Sequence, residues 1–240
     1  KPIFIEKPIG FAAEDALAIA DLVEAAGNIF QTGYFMRGIG ELRKIKSLVD
    51  AGAFGQITRV RASNCHRGAL GGWFDGDMRW MADPKQSGVG GFGDLGTHML
   101  DILIWMFGDV ERVTGRIGLG TARYEGCDET GEAILVFKNG VVATLAAGWD
   151  DITDPQTYMV SGTQLHASVV QGKLRLTSLD GPYQGELEEG CESAPAGFDA
   201  FLSVCTGGDA DLVGVREAAY RNSVMQAVYE SAANSTWISF

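Results

Sequence analysis

The spacing of hydrophobic and polar positions switches between strand-like and helical over the first 35 residues. A short apolar run lies at 3–6, a segment with apolar residues at helical spacing lies at 12–26, and a second apolar run lies at 28–35. Strand, helix and strand in this order form one βαβ unit of a parallel sheet. Because a strand at a chain terminus cannot cover both faces of a sheet or pair both of its edges, we expect the sequence to begin in the middle of a sheet.

The pattern after residue 35 predicts a longer and more mixed segment. It indicates an amphipathic helix at 38–51, an alternating strand at 57–66 and a long glycine-rich loop at 67–91. A loop of that length within a compact domain is usually functional. The later elements are predicted to be a helix at 93–107, strands at 110–119, 131–138, 141–149, 157–161, 165–170 and 173–178, and helices at 197–207 and 213–231.

Turn signals between the later strands indicate how these strands pair. Asn139-Gly140 separates two of them, as a two-residue β-hairpin turn does. Short strands joined by hairpins form largely antiparallel sheets. We therefore predict a fold with an α/β part and an α+β part. Residues 1–35 are the end of a parallel α/β domain, and residues 36–240 form an α+β domain on a large, mostly antiparallel sheet.

Composition narrows the classes of partner. The 240 residues carry a net charge of −12, and an acidic surface repels phosphate, so we expect neither nucleic acid nor an anionic membrane as a partner. No apolar run reaches the roughly 18 residues of a membrane span, and no signal peptide is visible. The four cysteines form no CxxC pair and the three histidines lie far apart in the sequence, so we expect reduced thiols, no metal site and a cytoplasmic protein.

The predicted helix at 93–107 carries the most informative polar pattern. Asp94, His98, Asp101 and Trp105 are spaced by four, three and four residues, so they share one helix face. One interpretation is a polar stripe that faces solvent. The other is a proton-transfer site, since histidine exchanges protons near neutral pH and a neighbouring carboxylate can orient it.

A second candidate lies directly after the first predicted strand, at Glu6-Lys7-Pro8. Ligands of parallel α/β sheets bind beyond the carboxyl ends of the strands, so Lys7 is in a position to reach one. A tight turn at the exit of a strand is also a place where a cis peptide bond occurs before proline. A lysine at a strand end can equally be a solvated surface residue.

Further candidates are aromatic and basic side chains near the predicted cleft. Trp73, Arg79 and Trp80 lie in the glycine-rich loop, and Tyr34 and Arg37 lie at the end of the second strand. An aromatic face beside polar groups suits a polyhydroxylated ring, whose C–H face packs on the aromatic ring. The alternative is that these side chains anchor their segments to the core.

Together these residues resemble the Gfo/Idh/MocA family, named for glucose–fructose oxidoreductase, inositol dehydrogenase and rhizopine catabolism. The resemblance extends over essentially the whole chain, and its parts occur in the family's order and spacing. The motifs that carry it are Glu6-Lys7-Pro8, Gly33-Tyr34-Phe35-Met36-Arg37, Gly52-Ala53-Phe54-Gly55, Gly90-Gly91-Phe92-Gly93-Asp94-Leu95-Gly96-Thr97-His98-Met99-Leu100-Asp101, Trp105-Met106-Phe107-Gly108, Glu217-Ala218-Ala219 and Glu230-Ser231-Ala232.

The resemblance implies a fold, an activity and roles for individual residues. It implies a Rossmann domain followed by a domain on an open antiparallel sheet, through which the protein forms a homo-oligomer, a dimer or tetramer. It implies an NAD(P)-dependent oxidoreductase that acts on a hydroxyl or keto group of a sugar, sugar derivative or inositol. Lys7, Asp94 and His98 would be catalytic, and Glu6, Lys7 and Pro8 would bind NAD or NADP. Candidate substrate contacts are Tyr34, Arg37, Trp73, Arg79, Trp80 and Asp101.

Two other functions stay open at this point. Relatives in the family use transient oxidation to cleave glycosidic bonds, and an NAD-dependent glycosidase would use the same Lys7 and His98. A sugar-sensing regulator could share the fold, but it has no need of a Lys–Asp–His set. The glycine-rich phosphate-binding turn and the acidic ribose-binding residue of the family are not in this sequence. We therefore expect the 240 residues alone to bind a dinucleotide poorly and to be inactive.

Overall fold

The start of the chain forms the predicted βαβ unit. The computed structural model describes residues 1–181, 183 and 185–240, with the backbone alone at 185–189. Strand β1 (Ile3–Ile5) pairs in parallel with β2 (Phe30–Thr32), and α1 (Ala13–Ala26) connects them. The helix ends at Gly27, whose φ of 62° lies in the left-handed region that favours glycine.

A second sheet of nine strands dominates the rest of the described chain. Its strands are β3 (Ile57–Cys65), β4 (Val110–Gly118), β5 (Thr130–Phe137), β6 (Val142–Gly148), β7 (Gln156–Gly162), β8 (Leu165–Val170), β9 (Lys173–Ser178), β10 (Gly185–Glu189) and β11 (Ile238–Ser239). They lie in the order β10-β9-β8-β7-β3-β6-β5-β4-β11. Only the β3–β6 pair of this described sheet is parallel, so the prediction of a mostly antiparallel sheet is confirmed.

The helices after the first unit occupy the predicted places, with additions in the loop regions. They are α2 (Gly40–Asp50), α3 (Pro84–Ser87), α4 (Gly91–Phe107), α5 (Gly197–Cys205) and α6 (Val215–Asn234). The segment predicted as one long loop, 67–91, contains a 3-10 helix at Arg79–Ala82 and the four-residue α3. Both are shorter than the window in which helical periodicity can be recognised, so the pattern did not indicate them.

One face of the large sheet is buried under helices and the other is open. Along β5, Ala133, Leu135 and Phe137 are buried, whereas Glu132 and Ile134 between them are exposed. This alternation is the period of two expected of a strand with one covered face. Helices α4 and α6 pack on the covered face, and α4 is apolar around most of its circumference because it lies inside the core.

A second, smaller core joins the two ends of the chain. Side chains of α1 and β2 pack against Val213, Val215, Ala218 and Ala219 of the α6 region. The parallel unit therefore packs on α6, a helix that also covers the large sheet. Within the described residues, no helix is long and apolar enough to cross a membrane.

Candidate active site

An ion pair joins the turn after β1 to the first turn of α4. The Lys7 Nζ atom lies 2.6 Å from Oδ1 of Asp94 and 3.0 Å from the backbone oxygen of the same residue. The two side chains are 12% and 17% exposed, so both remain partly accessible to a ligand. The peptide bond between Lys7 and Pro8 is cis, as the sequence predicts. The carboxyl end of a parallel strand thus delivers its lysine to the helix that carries the aspartate.

The start of α4 is fixed by contacts with the segment before β5. The backbone N–H groups of Gly90 and Phe92 donate to the two carboxylate oxygens of Asp128 at 3.1 and 2.8 Å. A Cβ atom at Gly91 would lie 2.6 Å from the backbone oxygen of Glu129, so the approach requires glycine. Asp128 accordingly caps the start of the helix.

His98 lies one turn after Asp94 on the same helix and is only 7% exposed. Burial, and after it the Lys7 ammonium, lower the pKa of this imidazole to about 3, although the Asp94 carboxylate opposes the shift. The ring is therefore neutral at physiological pH. Its Nδ1 atom is buried and accepts or donates no hydrogen bond among the described residues. The structure brings Lys7, Asp94 and His98 together, as the sequence predicts.

The end of β3 forms another side of this site, which the sequence analysis did not anticipate. Asn64 Nδ2 donates to the backbone oxygen of Leu95 at 3.0 Å, which places this strand end against the first turn of α4. His66 follows two residues later, and Asp94 is close enough to influence its pKa. The sequence did not indicate His66 as a site residue, because β3 meets α4 only through tertiary packing.

Three of the predicted substrate residues are engaged in buried contacts. Arg37 donates two hydrogen bonds to Asp101 at 2.8 and 2.5 Å, and Arg221 Nε donates a third at 2.9 Å. Tyr34 is buried, and its hydroxyl lies 2.9 Å from the Thr97 hydroxyl. These contacts hold α4 against its neighbours. A direct role of Tyr34, Arg37 and Asp101 in substrate binding stays a prediction.

The remaining predicted residues lie at the rim. Trp73 and Trp80 are about half exposed, at 52% and 49%. Arg79 donates to the backbone oxygen of Ala82 at 2.7 Å and lies 5.0 Å from the centroid of the Tyr124 ring. Their contact with a substrate stays a prediction. Glu6 lies back against the end of β2, where a Cβ atom at Gly33 would collide with its carboxylate.

A cavity of about 380 Å³ opens beside the ion pair. It lies between Pro8, the glycine-rich segment before α4 and the side of α6. Asn222 lines it, and the buried Oδ1 of this amide has no hydrogen-bond partner among the described residues. The cavity is at the carboxyl end of a parallel strand, where dinucleotides bind. An unpartnered acceptor in this lining fits the N–H donors of a ring that carries a carboxamide, as nicotinamide does.

These features define a class of protein: a two-layer fold in which a half-buried lysine at the end of a parallel strand, an aspartate and a neutral histidine form one site for proton transfer. Residues 42–167 match the model of the GFO/IDH/MocA C-terminal domain, and the chain belongs to this family. The fold and family implied by the sequence are thereby confirmed.

Individual relatives agree with this assignment. The chain is 30% identical over 112 residues to the rhizopine catabolism protein MocA of Rhizobium meliloti, covering 45% of this chain and 31% of that protein. It is 30% identical over 125 residues to D-xylose dehydrogenase of Paenarthrobacter nicotinovorans, covering 48% and 30%. The solved structure of a levoglucosan dehydrogenase in complex with NADH superposes with a TM-score of 0.84 at 18% identity, covering the whole chain and 73% of that structure. The chain spans half or less of the length of the curated relatives it matches.

Proposed function

We propose that the complete protein is an NAD(P)-dependent oxidoreductase that acts on a secondary hydroxyl or keto group of a sugar, sugar derivative or inositol. The observation that carries this proposal is the cluster of Lys7, Asp94 and His98 at the end of a parallel strand. The names of the relatives, which include D-xylose dehydrogenase and levoglucosan dehydrogenase, support the substrate class.

Each residue of the cluster has a defined task in alcohol oxidation. Lys7, as an ammonium, donates a hydrogen bond to the reacting oxygen and stabilises the negative charge that develops there. His98 is neutral and accepts the hydroxyl proton. Asp94 holds the Lys7 ammonium in place at 2.6 Å. When bound, NAD or NADP would supply the acceptor for the hydride from the alcohol carbon, and the reduced cofactor would supply the hydride in the reverse direction.

Cofactor and substrate would meet at the carboxyl end of β1. Glu6, Lys7 and Pro8 would border NAD or NADP, with the cavity beside Pro8 as the space for the ring. Trp73 and Trp80 are the accessible candidates for packing on a polyhydroxylated substrate, and Arg79 is a further candidate contact. Tyr34, Arg37 and Asp101 would act on the substrate by fixing the position of α4.

Lysine substitution tests this proposal directly. In the complete protein, we expect Lys7→Met to lower kcat/KM with the best sugar or inositol by about 100-fold or more, because a charge-stabilising donor is lost. Lys138→Met, on the exposed pair with Asp109, is the matched control and leaves the rate unchanged. NADH or NADPH formation is the readout. Equal rates for the two variants contradict the proposal, and product release without net cofactor reduction identifies a glycosidase.

We also propose that the protein forms a homo-oligomer, a dimer or tetramer, through the open face of the large sheet. Support comes from the side chains on that face, which mix apolar and charged groups: Arg61, Glu132, Ile134, Thr144 and Met159. An uncovered sheet face of this size is usually packed against another surface. A homo-oligomer covers it with a second copy.

A further inference from the structure

The ring of His66 stacks on the ring of Trp73 at the entrance to the candidate active site. Their centroids lie 4.8 Å apart with an angle of 33° between the planes. His66 is half-buried, whereas Trp73 is 52% exposed. We call these two side chains the His66–Trp73 pair. It lies at the end of β3, which contacts the first turn of α4 through Asn64.

The glycine-rich segment after β3 is shaped around this pair. A Cβ atom at Gly68 would lie 2.7 Å from Cε1 of His66, and one at Gly71 would lie 2.8 Å from Nε1 of Trp73. Both distances are too short for any other residue type without a shift of the rings. The glycines at these two positions therefore allow the backbone to close behind the pair and leave its outer side free.

The orientation of the His66 proton is fixed by the backbone. The Gly68 N–H group donates to Nδ1 of His66 at 3.0 Å, so Nδ1 is an acceptor. A neutral imidazole with an accepting Nδ1 carries its hydrogen on Nε2. Burial lowers the pKa of His66, which favours this neutral form. Within the part of the chain that the structure describes, the hydrogen bonds of this ring involve Nδ1 alone, so the Nε2–H donor is available to a ligand.

The loop that presents the pair is anchored on both sides. Phe74, the neighbour of Trp73, is buried against Trp149 with ring centroids 4.1 Å apart. Asp75 accepts a hydrogen bond from the Tyr124 hydroxyl at 3.0 Å and forms an ion pair with Arg123. Because both following residues are held, the half-exposed Trp73 ring is preorganised rather than free to rotate with its loop.

We propose that His66 is a substrate-binding residue, which donates its Nε2–H to one hydroxyl of a cyclic polyol while the Trp73 indole covers a C–H face of the same ring. This inference rests on the proposed function and adds to it a specificity-determining contact outside the Lys7, Asp94 and His98 cluster. A fixed donor beside an aromatic face recognises a neutral ring with a hydroxyl at a defined position.

Two isosteric replacements separate the roles of the nitrogens. In His66→Asn the amide oxygen can still accept from Gly68, but no donor reaches the Nε2 position. In His66→Gln the amide nitrogen reaches that position. With the best cyclic substrate and saturating cofactor, we expect His66→Asn to raise KM about tenfold with kcat unchanged, as loss of one uniform hydrogen bond does. His66→Gln recovers most of the affinity.

A series of monodeoxy substrates identifies the bonded hydroxyl. Removing that hydroxyl weakens binding to the wild type about tenfold but has little further effect on His66→Asn, because the pair of changes removes a single contact. Trp73→Leu supplies an independent variant at an exposed position. It raises KM for ring substrates and leaves KM for an open-chain polyol such as sorbitol unchanged. Thermal unfolding of each variant verifies that it is folded.

The outcomes distinguish this inference from the proposed function. A wild-type protein that oxidises a cyclic polyol, with KM insensitive to His66→Asn, overturns the inference alone. Equal KM increases in His66→Asn and His66→Gln, without discrimination among deoxy substrates, also overturn it, since they indicate a purely structural histidine. A wild-type protein that turns over no polyol with either cofactor removes the proposed function and this inference with it.

Discussion

At the scale of single residues, the environment of His98 determines both its chemistry and its contribution to stability. Burial and the Lys7 ammonium lower its pKa to about 3, from an ordinary value of 6.5. Between these two values the unfolded chain binds a proton that the folded protein does not. The stability that this neutral ring contributes is therefore complete above about pH 6.5 and is lost as the pH falls toward 3.

Replacement of His98 by glutamine removes this dependence. Because one pKa unit corresponds to about 1.4 kcal/mol, we expect the wild type to lose about 2 to 3 kcal/mol more than His98→Gln between pH 7 and pH 4.5. Urea denaturation of both proteins at the two pH values measures this difference, in which the other titrating groups largely cancel. A difference that does not change with pH contradicts the assignment of a neutral, buried His98.

The buried Asp101 is the second residue whose charge has a strong structural effect. It accepts hydrogen bonds from Arg37 and Arg221 and is 1% exposed. Asp101→Asn removes the buried carboxylate from the Arg37 and Arg221 guanidinium groups and leaves them the half-exposed Glu217 carboxylate, at 3.2 and 3.5 Å. We expect a loss of about 3 kcal/mol in the free energy of unfolding. The control is Asp50→Asn, on the exposed pair with Lys46, which costs at most about 0.5 kcal/mol. Similar losses in chemical denaturation of both variants are the contrary result.

These residues also mark how far the sequence predicts the site. The i, i+4 spacing placed Asp94 and His98 on one helix face, and the resemblance to the family added Lys7 to them. The structure brings the three together. The hydrogen bond from Arg221 to Asp101 was not predictable, because the packing of α4 on α6 alone brings the two residues together. His66 was missed for the same reason, since its stacking partner lies in a loop without periodicity.

At the scale of elements, the buried carboxylate of Glu129 organises the loop between β4 and β5. It accepts hydrogen bonds from the backbone N–H groups of Gly120, Thr121, Ala122 and Arg123 and from the Thr121 hydroxyl. Burial acts to raise its pKa, but these donors outweigh burial and lower it. Arg123 and Tyr124 of this loop contact Asp75 and thereby hold the segment with Trp73.

A neutral side chain at this position weakens the loop locally. We expect Glu129→Gln to abolish the slow hydrogen exchange of the amides at 120–123 and to lower the free energy of unfolding by about 2 kcal/mol, because charge-assisted acceptance is lost. Glu132→Gln, on the open face of the following strand β5, is the matched control and changes neither quantity. Hydrogen exchange followed by mass spectrometry measures both variants, and protection retained in Glu129→Gln would refute this role.

Periodicity predicted the longer elements to within a few residues but not the shortest ones. The predicted helix at 93–107 begins at Gly91, since the capping by Asp128 lies outside the apolar pattern. The two outermost strands of the large sheet were missed. β11 has only two residues, and β10 reads Gly-Glu-Leu-Glu-Glu, whose charge is typical of an edge strand and conceals its alternation.

At the scale of the whole molecule, the open sheet face and the net charge of −12 have opposite effects on self-association. The charge favours separate, soluble chains, whereas the exposed apolar groups on the sheet favour association. We expect association to prevail, so that light scattering gives a mass of a dimer or tetramer of the 25.6 kDa chain.

A charge in the middle of the sheet face tests where the copies meet. Ile134→Lys places an ammonium on the proposed interface and is expected to dissociate the oligomer, with a rise of the dissociation constant by at least about 100-fold. Leu22→Lys, at a 72% exposed position on α1, is the control and keeps the mass of the wild type. An oligomer that persists unchanged in Ile134→Lys places the contact elsewhere.

The parallel pairing of β3 with β6 has a consequence for the order in which the molecule forms. Neighbouring strands from β4 to β6 and from β7 to β9 follow one another directly along the chain, whereas Val60 of β3 pairs with Ala143 across the intervening helix and strands. Contacts of such high contact order carry the largest loop-closure entropy, so we expect β3 to join the two halves late in folding. Asn64 and His66 lie at the end of this strand and reach α4 only at that step. The substrate contact proposed for His66 therefore requires the fully folded chain, and a collapsed intermediate with both hairpin halves complete would still lack it.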